Sequence, residues 1–471
     1  MKNRRVVKVG GSNLKEIKDV KKISEIICDY EQAPIVVVSA FYGVTDKLIA
    51  CLDQMHFDSN KIIESIKYLH ELKLEYVIDL IPEENIRNLV FIDLKNRLDD
   101  LGAFLNHLLG KTNIKPFERD YVLSYGERLS AIVIWGTIKS IKRDCELLLP
   151  ENIGLITDDV FGNASVNLKL SKENLENRFN LDSIYIVPGF YGVSPYGKIN
   201  LLGRGGTDYS AAAIAYCIKA SALDIWKDVD GFMTGDPKHV DEPKQVNHLS
   251  YLEAAELAYF GAGILHPRTV EPLQLVNIPI RIFNVFKDHA LSEPQTIIDQ
   301  NISVFPQVIK SLTFENKIGI LSVKGPGVGF IPGILSGITK VLSDHSINIS
   351  SVITSQISIN LLIGIDEIDE AKSLLESIDI HAITDISVNK EVSMIAVVGN
   401  GMTKIPGVAA KVFTAIAQEG INILLSSLGA SDVVTYFIVD KHNTKRAISK
   451  LHKALFNNEV IEKEAVAPNF L

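Results

Sequence analysis

The sequence is poor in cysteine and lacks the cysteine spacings that support metal or disulfide chemistry. Its four cysteines, Cys28, Cys51, Cys145 and Cys217, stand far apart, with no C-x-x-C pair and no histidine at zinc spacing. This usage excludes a disulfide-dense secreted scaffold and a zinc ribbon. We interpret the four thiols as small buried side chains in a reducing compartment.

An excess of positive charge and long apolar runs are also missing. The 471 residues include 57 Asp and Glu against 48 Lys and Arg, a formal net charge of −9. This balance excludes a globally basic chain, and we expect no nucleic-acid partner. No apolar stretch approaches the roughly 18 residues of a membrane span, and the first residues lead straight into a strand-like run. We therefore expect no membrane segment and no signal peptide, and we predict a cytoplasmic protein.

The sequence does contain the pattern of a large α/β unit. Hydrophobic residues make up 46% and charged residues 22%, and the length suits about three domains. Five nearly continuous apolar runs alternate with helical stretches; they are Val6–Val9, Ile35–Ser39, Ile184–Pro188, Ala222–Trp226 and Pro279–Phe283. This alternation predicts a largely parallel sheet sandwiched by helices. We predict that residues 46–145 are mostly helical and that one of their helices ends before Pro82. Residues 286–310 have a mixed composition with two prolines, and we predict a linker there.

The C-terminal third of the chain contains an internal repeat. Residues 325–349 align without gaps with residues 399–423, and each copy reads as strand, Gly/Pro turn, amphipathic helix and strand. The apolar helix faces consist of Ile334, Ile338, Val341 and Leu342 in the first copy and Val408, Val412, Ala415 and Ile416 in the second. The repeat predicts two βαββαβ modules packed together, with chance similarity as the alternative.

Two glycine-rich segments carry the residue types of an anion site. In Lys8-Val9-Gly10-Gly11-Ser12 the glycines allow backbone N–H groups to approach a phosphate, and the lysine supplies a point charge. The G-x-x-x-x-G-K-[ST] spacing of a P-loop is absent, and a tight turn with a surface lysine is the alternative. The segment 203–208, G-R-G-G-T-D, precedes a helix start, and Arg204 suits a carboxylate. We favour a functional role for this second segment over a structural turn.

Three further segments leave a functional and a structural interpretation open. In residues 39–46 the hydroxyls can bind a ligand, or Thr45 caps the next helix. Glu127 can bind a substrate ammonium group, or it can stabilise its helix by interacting with the helix dipole as an acidic residue of the first turn. Residues 226–238 follow a strand, where α/β proteins bind nucleotides, but a plain loop is the alternative.

Two other motifs are interpreted structurally. His266, which precedes a proline in the glycine-containing segment 260–268, is interpreted as a packed turn residue. Gly399-Asn400-Gly401 is not a dinucleotide fingerprint, because Lys404 occupies the position of the third glycine.

Taken in order, these segments resemble the aspartate kinases, members of the amino-acid kinase family with paired C-terminal ACT domains. The matching segments are KVGGS at 8–12, SAFYGVTD at 39–46, SYGE at 124–127, GRGGTD at 203–208, KDVDGFMTGDPK at 227–238 and FGAGILHP at 260–267. The resemblance implies an amino-acid kinase domain over 1–290, with an aspartate-binding N-lobe and an ATP-binding C-lobe from about residue 200. A linker over 291–312 and ACT domains over 313–390 and 391–471 follow.

The resemblance implies transfer of the γ-phosphoryl group of ATP, with Mg²⁺, to the β-carboxylate of L-aspartate, giving 4-phospho-L-aspartate and ADP. This reaction begins the lysine, threonine and methionine pathway. We further expect a homodimer formed through the ACT domains and feedback by lysine, threonine or both. Because nothing follows the second repeat, we expect no homoserine dehydrogenase domain.

The resemblance also implies roles for individual residues. Lys8 would contact the transferring phosphoryl group, and Asp208 would orient Lys8. Arg204 would bind the α-carboxylate of aspartate and Glu127 its α-amino group. The pocket would also include Ser39, Thr45 and Thr207. The nucleotide would contact Gly10, Gly11, Ser12, Lys227, Asp228, Met233, Asp236, Lys238 and Gly263. The effector would contact Gly333, Ile334, Leu335, Asn348, Ile349, Thr354, Ser355, Gly407, Val408, Asn422 and Ile423. No residue is assigned as a metal ligand.

The sequence departs from the family pattern at four positions. The family motif F-G-A-K ends here in Gly263, and Lys227 and Lys238 stand where Thr and Arg are common. We hypothesise that Lys227 or Lys238 restores the charge missing at Gly263. Ser350 stands where lysine-sensitive relatives have an acidic residue, which argues against lysine as the effector.

Two rival functions follow from the same residues. Other amino-acid kinases, acting on glutamate, carbamate or UMP, share the Lys-Gly-Gly start, but the helical insert, SYGE and the repeat argue against them. A ligand-sensing ACT protein with an impaired kinase domain is supported by Gly263 alone.

Overall fold

A mostly parallel sheet forms the centre of the N-terminal part of the protein. The computed structural model describes residues 4–55, 58–111, 113–141, 143–287, 291, 293–301, 308–378, 381–429 and 431–457. The strands of this part are β1 (Arg5–Val9), β2 (Ile35–Val38), β3 (Cys145–Leu147), β4 (Ile184–Pro188), β5 (Tyr191–Val193), β6 (Ile199–Leu201), β7 (Ala222–Lys227), β8 (His248–Ser250), β9 (Ile280–Asn284) and β10 (Thr296–Asp299). Strands β5 and β6 form a separate antiparallel pair.

The main sheet has the strand order β3-β4-β2-β1-β7-β9-β10-β8. Its strands run parallel from β3 to β9, β10 is antiparallel to β9, and β8 is parallel to β10. The five apolar runs predicted as strands all lie in the parallel part, so the predicted fold class is confirmed. The linker interpretation missed β10, because a four-residue strand just after Pro294 has too little pattern to stand out from a loop. Residues 288–290, 292 and 302–307 of that interpretation lie outside the described residues.

Helices cover the sheet. They are α1 (Ile17–Cys28), α2 (Val44–Gln54), α3 (Asn60–Leu80), α4 (Glu84–Leu108), α5 (Pro116–Leu123), α6 (Tyr125–Ser140), α7 (Pro150–Ile153), α8 (Leu168–Leu175), α9 (Gly206–Ile218), α10 (Tyr251–Tyr259) and α11 (Pro267–Gln274). Helices α2–α6 occupy most of the predicted helical region. As predicted, α3 ends before Pro82, which lacks an N–H to continue it. Helix α9 is buried along almost its whole length and packs against β1 and β7.

The repeat forms two sheets. Its strands are β11 (Ser311–Glu315), β12 (Ile318–Lys324), β13 (Ile349–Thr354), β14 (Ser358–Gly364), β15 (Asp385–Asn389), β16 (Val392–Val398), β17 (Leu425–Ser427) and β18 (Val434–Asp440). Its helices are α12 (Ile334–Asp344), α13 (Ile368–Glu376), α14 (Val408–Ala417) and α15 (Thr444–His452). The first module has the order β13-β14-β12-β15, which is the βαββαβ arrangement. Ile338 and Val412 are fully buried on the predicted faces of α12 and α14.

The second module obtains its fourth strand from an earlier part of the chain. Its sheet has the order β11-β16-β18-β17, with β11 antiparallel to β16. Strand β11 precedes the whole first module, so the first module is inserted between the edge strand and the rest of the second. Residues 458–471 lie outside the described residues.

The chain divides into two compact units that do not follow the chain order completely. The first consists of Met1–Phe232, Asn247–Ala255 and Gly263–Asn301, and the second of Met233–Val246, Glu256–Ala262 and Ile302–Leu471. Two short stretches from the N-terminal part of the chain therefore belong with the repeat. The predicted domain boundaries stay a prediction.

Candidate active site

Two lysines and one aspartate meet at the carboxyl ends of neighbouring strands. Lys8 lies in β1, Lys227 is the last residue of β7, and Asp208 lies in the first turn of α9. The Lys8 Nζ is 2.5 Å from Asp208 Oδ1, and the Lys227 Nζ is 3.7 Å from Asp208 Oδ2. The side chains are 6%, 16% and 8% exposed for Lys8, Lys227 and Asp208, respectively. Because one carboxylate faces two ammonium groups, the cluster is suited to an additional anion.

The electrostatics of the cluster follow from burial and from these neighbours. Burial lowers the pKa of Lys8 to about 8, although Asp208 opposes the effect; Lys227 lowers it further. Burial alone would raise the pKa of Asp208, but Lys227 and Lys8 outweigh burial and hold it below its ordinary value. Asp208 therefore stays ionised at neutral pH, and Lys8 loses its charge as the pH rises through about 8.

The glycine turn after β1 leaves room beside this cluster. A Cβ on Gly10 would lie 3.2 Å from the Lys8 Nζ, and one on Gly11 would lie 3.0 Å from the carbonyl oxygen of Ala40. The Ser12 hydroxyl donates to Asp228 Oδ1 at 3.1 Å, and the Asn13 amide donates to the carbonyl of Trp226 at 2.7 Å. These bonds hold the turn against the end of β7. Without side chains at Gly10 and Gly11 the backbone of this turn can approach a phosphate group beside Lys8, and we call the turn the glycine cradle.

The loop before α9 has the backbone conformation that its glycines allow. Gly203 and Gly205 have φ values of 76° and 70°, and a Cβ on Gly205 would lie 2.4 Å from the Cβ of His266. Arg204 is exposed, with no hydrogen bond or ion pair to the described residues, and Thr207 is buried. His266 caps α11 by accepting from the N–H of Arg268 at 3.4 Å, as expected of a packed turn residue.

A second group of predicted residues meets around the end of β2. The carbonyl of Ser39 accepts from the Ser130 hydroxyl at 2.6 Å, and the N–H of Ala40 donates to the Glu127 carboxylate. A Cβ on Gly126 would lie 3.6 Å from the Thr45 hydroxyl, so the start of α6 packs closely on this segment.

The positions of Thr45 and Glu127 bear on their alternative structural roles. The structural alternative for Thr45 is wrong in detail, because Gly43, with φ of 75°, is the N-cap of α2 and needs no side chain there. Glu127 does lie in the first turn of α6, but it is only 4% exposed. Burial raises its pKa to about 8.

One charged residue of this region was missed. Lys73 lies on the buried face of α3 with Leu69, Tyr76 and Leu80, and it is fully buried. The sequence does contain an indication of this burial, because Lys73 occurs at the helical spacing of the apolar residues of α3.

Three of the predicted nucleotide residues belong to the other compact unit. Met233, Asp236 and Lys238 lie in the second unit, where the N–H of Lys238 donates to Asp236 Oδ1 at 2.8 Å. Gly263 belongs to the first unit, is exposed and has φ of 68°.

The predicted effector residues lie at equivalent places in the two modules. Gly333 and Gly407 are the exposed N-caps of α12 and α14, with φ values of 92° and 87°. The side chains of Leu335, Asn348, Thr354, Ser355 and Asn422 are exposed, those of Ile349, Val408 and Ile423 are half-buried, and Ile334 is buried. The carbonyl of Ser350 accepts from the Tyr259 hydroxyl at 3.0 Å.

Comparison with known proteins identifies the family. Residues 3–284 match the amino acid kinase family, which covers more than half of the chain. The chain belongs to the amino acid kinase family. Residues 313–377 and 395–455 each match an ACT domain. The central sheet is therefore an amino acid kinase sheet, and the repeat is a pair of ACT modules.

Similar proteins carry aspartokinase names. The bifunctional aspartokinase/homoserine dehydrogenase of Haemophilus influenzae is 29% identical over 97% of this chain and 57% of its own length. Aspartokinase 2, chloroplastic, of Arabidopsis thaliana is 27% identical over 96% of this chain and 84% of its own length. The chain thus spans little more than half the length of the bifunctional relatives.

A solved structure supports the same fold. Escherichia coli aspartokinase III in complex with aspartate and ADP superimposes with a TM-score of 0.82 at 24% identity, covering 96% of this chain and 100% of that one. Its complex with lysine and aspartate gives a TM-score of 0.77 at 25% identity, covering 96% and 99%.

The described residues contain neither a cluster of metal ligands nor a helix suited to a membrane. No three His, Cys, Asp or Glu side chains lie close enough there to hold a metal ion. None of the described helices combines the length and apolar character needed to cross a bilayer.

Proposed function

We propose that the protein is an aspartate kinase, which transfers the γ-phosphoryl group of ATP to the β-carboxylate of L-aspartate. The observation that carries the proposal is the pair of lysines on the buried Asp208, beside the glycine cradle formed by Gly10 and Gly11. The aspartokinase names of the similar proteins support the choice of substrate.

This arrangement suits a reaction that needs no general base. A β-carboxylate oxygen of aspartate, already an anion at pH 7, attacks the γ-phosphorus; the bond from that phosphorus to the bridging oxygen breaks, and ADP leaves with the electron pair. Catalysis then requires two anions held in line and a positive charge on the moving group. Lys8 supplies that charge, and Asp208 orients Lys8.

The other predicted residues divide between the two substrates. Arg204, exposed and free of described partners, binds the α-carboxylate, and Glu127 receives the α-ammonium. The rest of the aspartate pocket consists of Ser39, Thr45 and Thr207. The nucleotide contacts Gly10, Gly11, Ser12, Lys227, Asp228, Met233, Asp236, Lys238 and Gly263. Mg²⁺ accompanies ATP, held mainly by phosphate oxygens and water, and we assign it no protein ligand.

The ACT pair makes the enzyme a regulated one. We propose that an amino acid, lysine or threonine, binds at the helix starts near Gly333 and Gly407, where exposed N–H groups suit its carboxylate. We also propose a homodimer formed through the ACT modules, and a cytoplasmic location. Ser350 offers no side-chain charge for a lysine ammonium, which favours threonine.

The proposed domains keep the boundaries inferred from the sequence. The kinase domain covers 1–290 and the ACT domains 313–390 and 391–471, with the exception of β11 (Ser311–Glu315), which belongs to the sheet of the second ACT module. The family matches at 3–284, 313–377 and 395–455 support this division.

The test is formation of aspartyl hydroxamate from aspartate, MgATP and hydroxylamine. We expect aspartate-dependent product that glutamate does not replace, and less product when threonine is added. Product that ignores every amino acid would leave the ACT pair as an assembly module. No product, from folded protein that still binds ATP, would overturn the proposal and favour the ligand-sensing alternative.

A further inference from the structure

Helix α3 carries a lysine in the interior of the first unit. Lys73 has no exposed surface, and its Nζ has no hydrogen-bond partner among the described residues. The Nζ lies 3.4 Å from the ring centroid of Phe41, a cation–π contact. One such contact does not replace the hydration that a buried ammonium loses, so burial lowers the pKa of Lys73 well below its ordinary value, and the lysine keeps its charge only where a negative charge opposes this effect.

The charged side chain that opposes the effect of burial on Lys73 is Glu127. The carboxylate is buried, and its Oε2 has no hydrogen-bond partner within the described part of the chain. The N–H of Ala40 donates to this carboxylate, while the next residue, Phe41, lies under the ammonium of Lys73. The two buried groups thus contact consecutive residues of the turn after β2.

The described surroundings contain no other charge for either group. The pKa of Glu127 responds to Lys73 alone among charged side chains, and the pKa of Lys73 responds to Glu127 alone. On the neighbouring elements, Arg128 is paired with Glu151 at 2.8 Å. Asp120 of α5 accepts from the backbone N–H groups of Gly162 and Leu201. On α2, Asp46 is exposed.

We propose that Lys73 is a positioning residue for the amino acid substrate: its buried ammonium favours the ionised form of the Glu127 carboxylate, so that Glu127 can receive the α-ammonium of aspartate. The inference rests on the proposed function. It explains why a binding carboxylate can be buried so completely, since Lys73 offsets part of the cost of its charge.

The proposal predicts a specific dependence on pH. Burial raises the pKa of Glu127 to about 8 even with Lys73 present, so kcat/KM for aspartate at saturating MgATP should fall below about pH 8. In Lys73→Met this acid limb should move up by about one pH unit. The KM for aspartate at pH 7 should then rise about tenfold with little change in kcat.

Two features keep the test independent of folding. Methionine is close to lysine in length, and Glu127 can take up a proton once Lys73 is absent, so Lys73→Met should remain folded. Its melting temperature should lie below that of the wild type, because one partner of a buried pair is lost, and it is measured beside the kinetics. Lys67→Met is the matched control, because Lys67 lies on the same helix, 72% exposed and 3.8 Å from Glu71. This control should leave the pH profile unchanged.

A double-mutant cycle gives the second measurement. In Glu127→Gln, Lys73 loses the only described group that raises its pKa and becomes neutral, so adding Lys73→Met to that variant should leave aspartate binding unchanged. The role of Lys73 would be overturned if Lys73→Met kept the wild-type acid limb, or if it weakened binding equally in both backgrounds. Wild-type protein that forms no aspartyl hydroxamate would instead overturn the proposed function, and this inference with it.

Discussion

Asp208 shows how a single residue determines the character of the site. Its carboxylate is buried between Lys8 and Lys227, so the three side chains carry a net positive charge while both lysines are protonated. The cluster therefore offsets one of the two negative charges of an entering dianionic phosphoryl group, which lowers the cost of burying that group.

Lys8 should impose an alkaline limit on the reaction. Burial lowers its pKa to about 8, so its charge is lost as the pH rises through that value. We expect kcat/KM for MgATP, at saturating aspartate, to fall about tenfold per pH unit above pH 8. In Lys8→Arg, whose guanidinium stays charged, the residual activity should lack this limb. An unchanged alkaline limb in that variant would assign it to another group.

Lys227 should contribute more to the rate than Lys238. Lys227 lies 3.7 Å from Asp208, whereas Lys238 is exposed and belongs to the other compact unit. We expect Lys227→Ala to lower kcat about 10²-fold, a loss typical of a missing charge at the transition state. Lys238→Ala, the matched control, should lower kcat less than threefold or raise only the KM for ATP. Equal losses in both variants would contradict the compensation of Gly263 by Lys227.

At the scale of elements, steric contacts explain why the loop before α9 needs glycine. Gly205 has φ of 70°, and a Cβ there would lie 2.4 Å from the Cβ of His266, an atom fixed by the N-cap of α11. The loop can pack against α11 only because Gly205 has no side chain. This contact positions the start of α9.

Gly205→Ala and Gly197→Ala separate steric contact from backbone strain. Gly197 has a similar φ of 77°, but nothing lies within 4 Å of its Cβ position. Gly197→Ala should cost about 1 kcal/mol of unfolding free energy. Gly205→Ala should cost about 2–4 kcal/mol and also raise the KM of both substrates. Chemical denaturation would measure the difference, and equal losses would show that His266 can move aside.

The sequence predicted the elements whose information is local. Lys8, Gly10 and Gly11 form one contiguous motif after an apolar strand, and the strand–turn–helix repeat is regular. Lys73 escaped prediction because its role depends on Glu127, a residue of another helix. The sheet to which β11 belongs could not be predicted, because the sequence of a short edge strand does not determine which sheet the strand will join.

At the scale of the whole molecule, the family match and the compact units do not coincide. Residues 3–284 match the amino acid kinase family, yet Met233–Val246 and Glu256–Ala262 belong to the second unit. There the carbonyl of Thr234 accepts from the N–H of Leu312 at 2.9 Å, and the Thr234 hydroxyl is 2.8 Å from Nε2 of the fully buried His452.

Cutting the chain after residue 290 should therefore damage the kinase region itself. The fragment would lose two partners of Thr234, Leu312 and His452. It would also expose Val240, which is 5% exposed in the intact chain and packs with the second ACT core. We expect a fragment that aggregates or unfolds well below the full-length protein, since buried polar groups without partners cost about 1–3 kcal/mol each. In the intact chain, His452→Ala should lower the unfolding free energy by a similar amount, as measured by denaturant titration. A fragment 1–290 as stable as the full chain would show that these two stretches fold without the second unit, and that the ACT pair is an addition to a self-sufficient kinase domain.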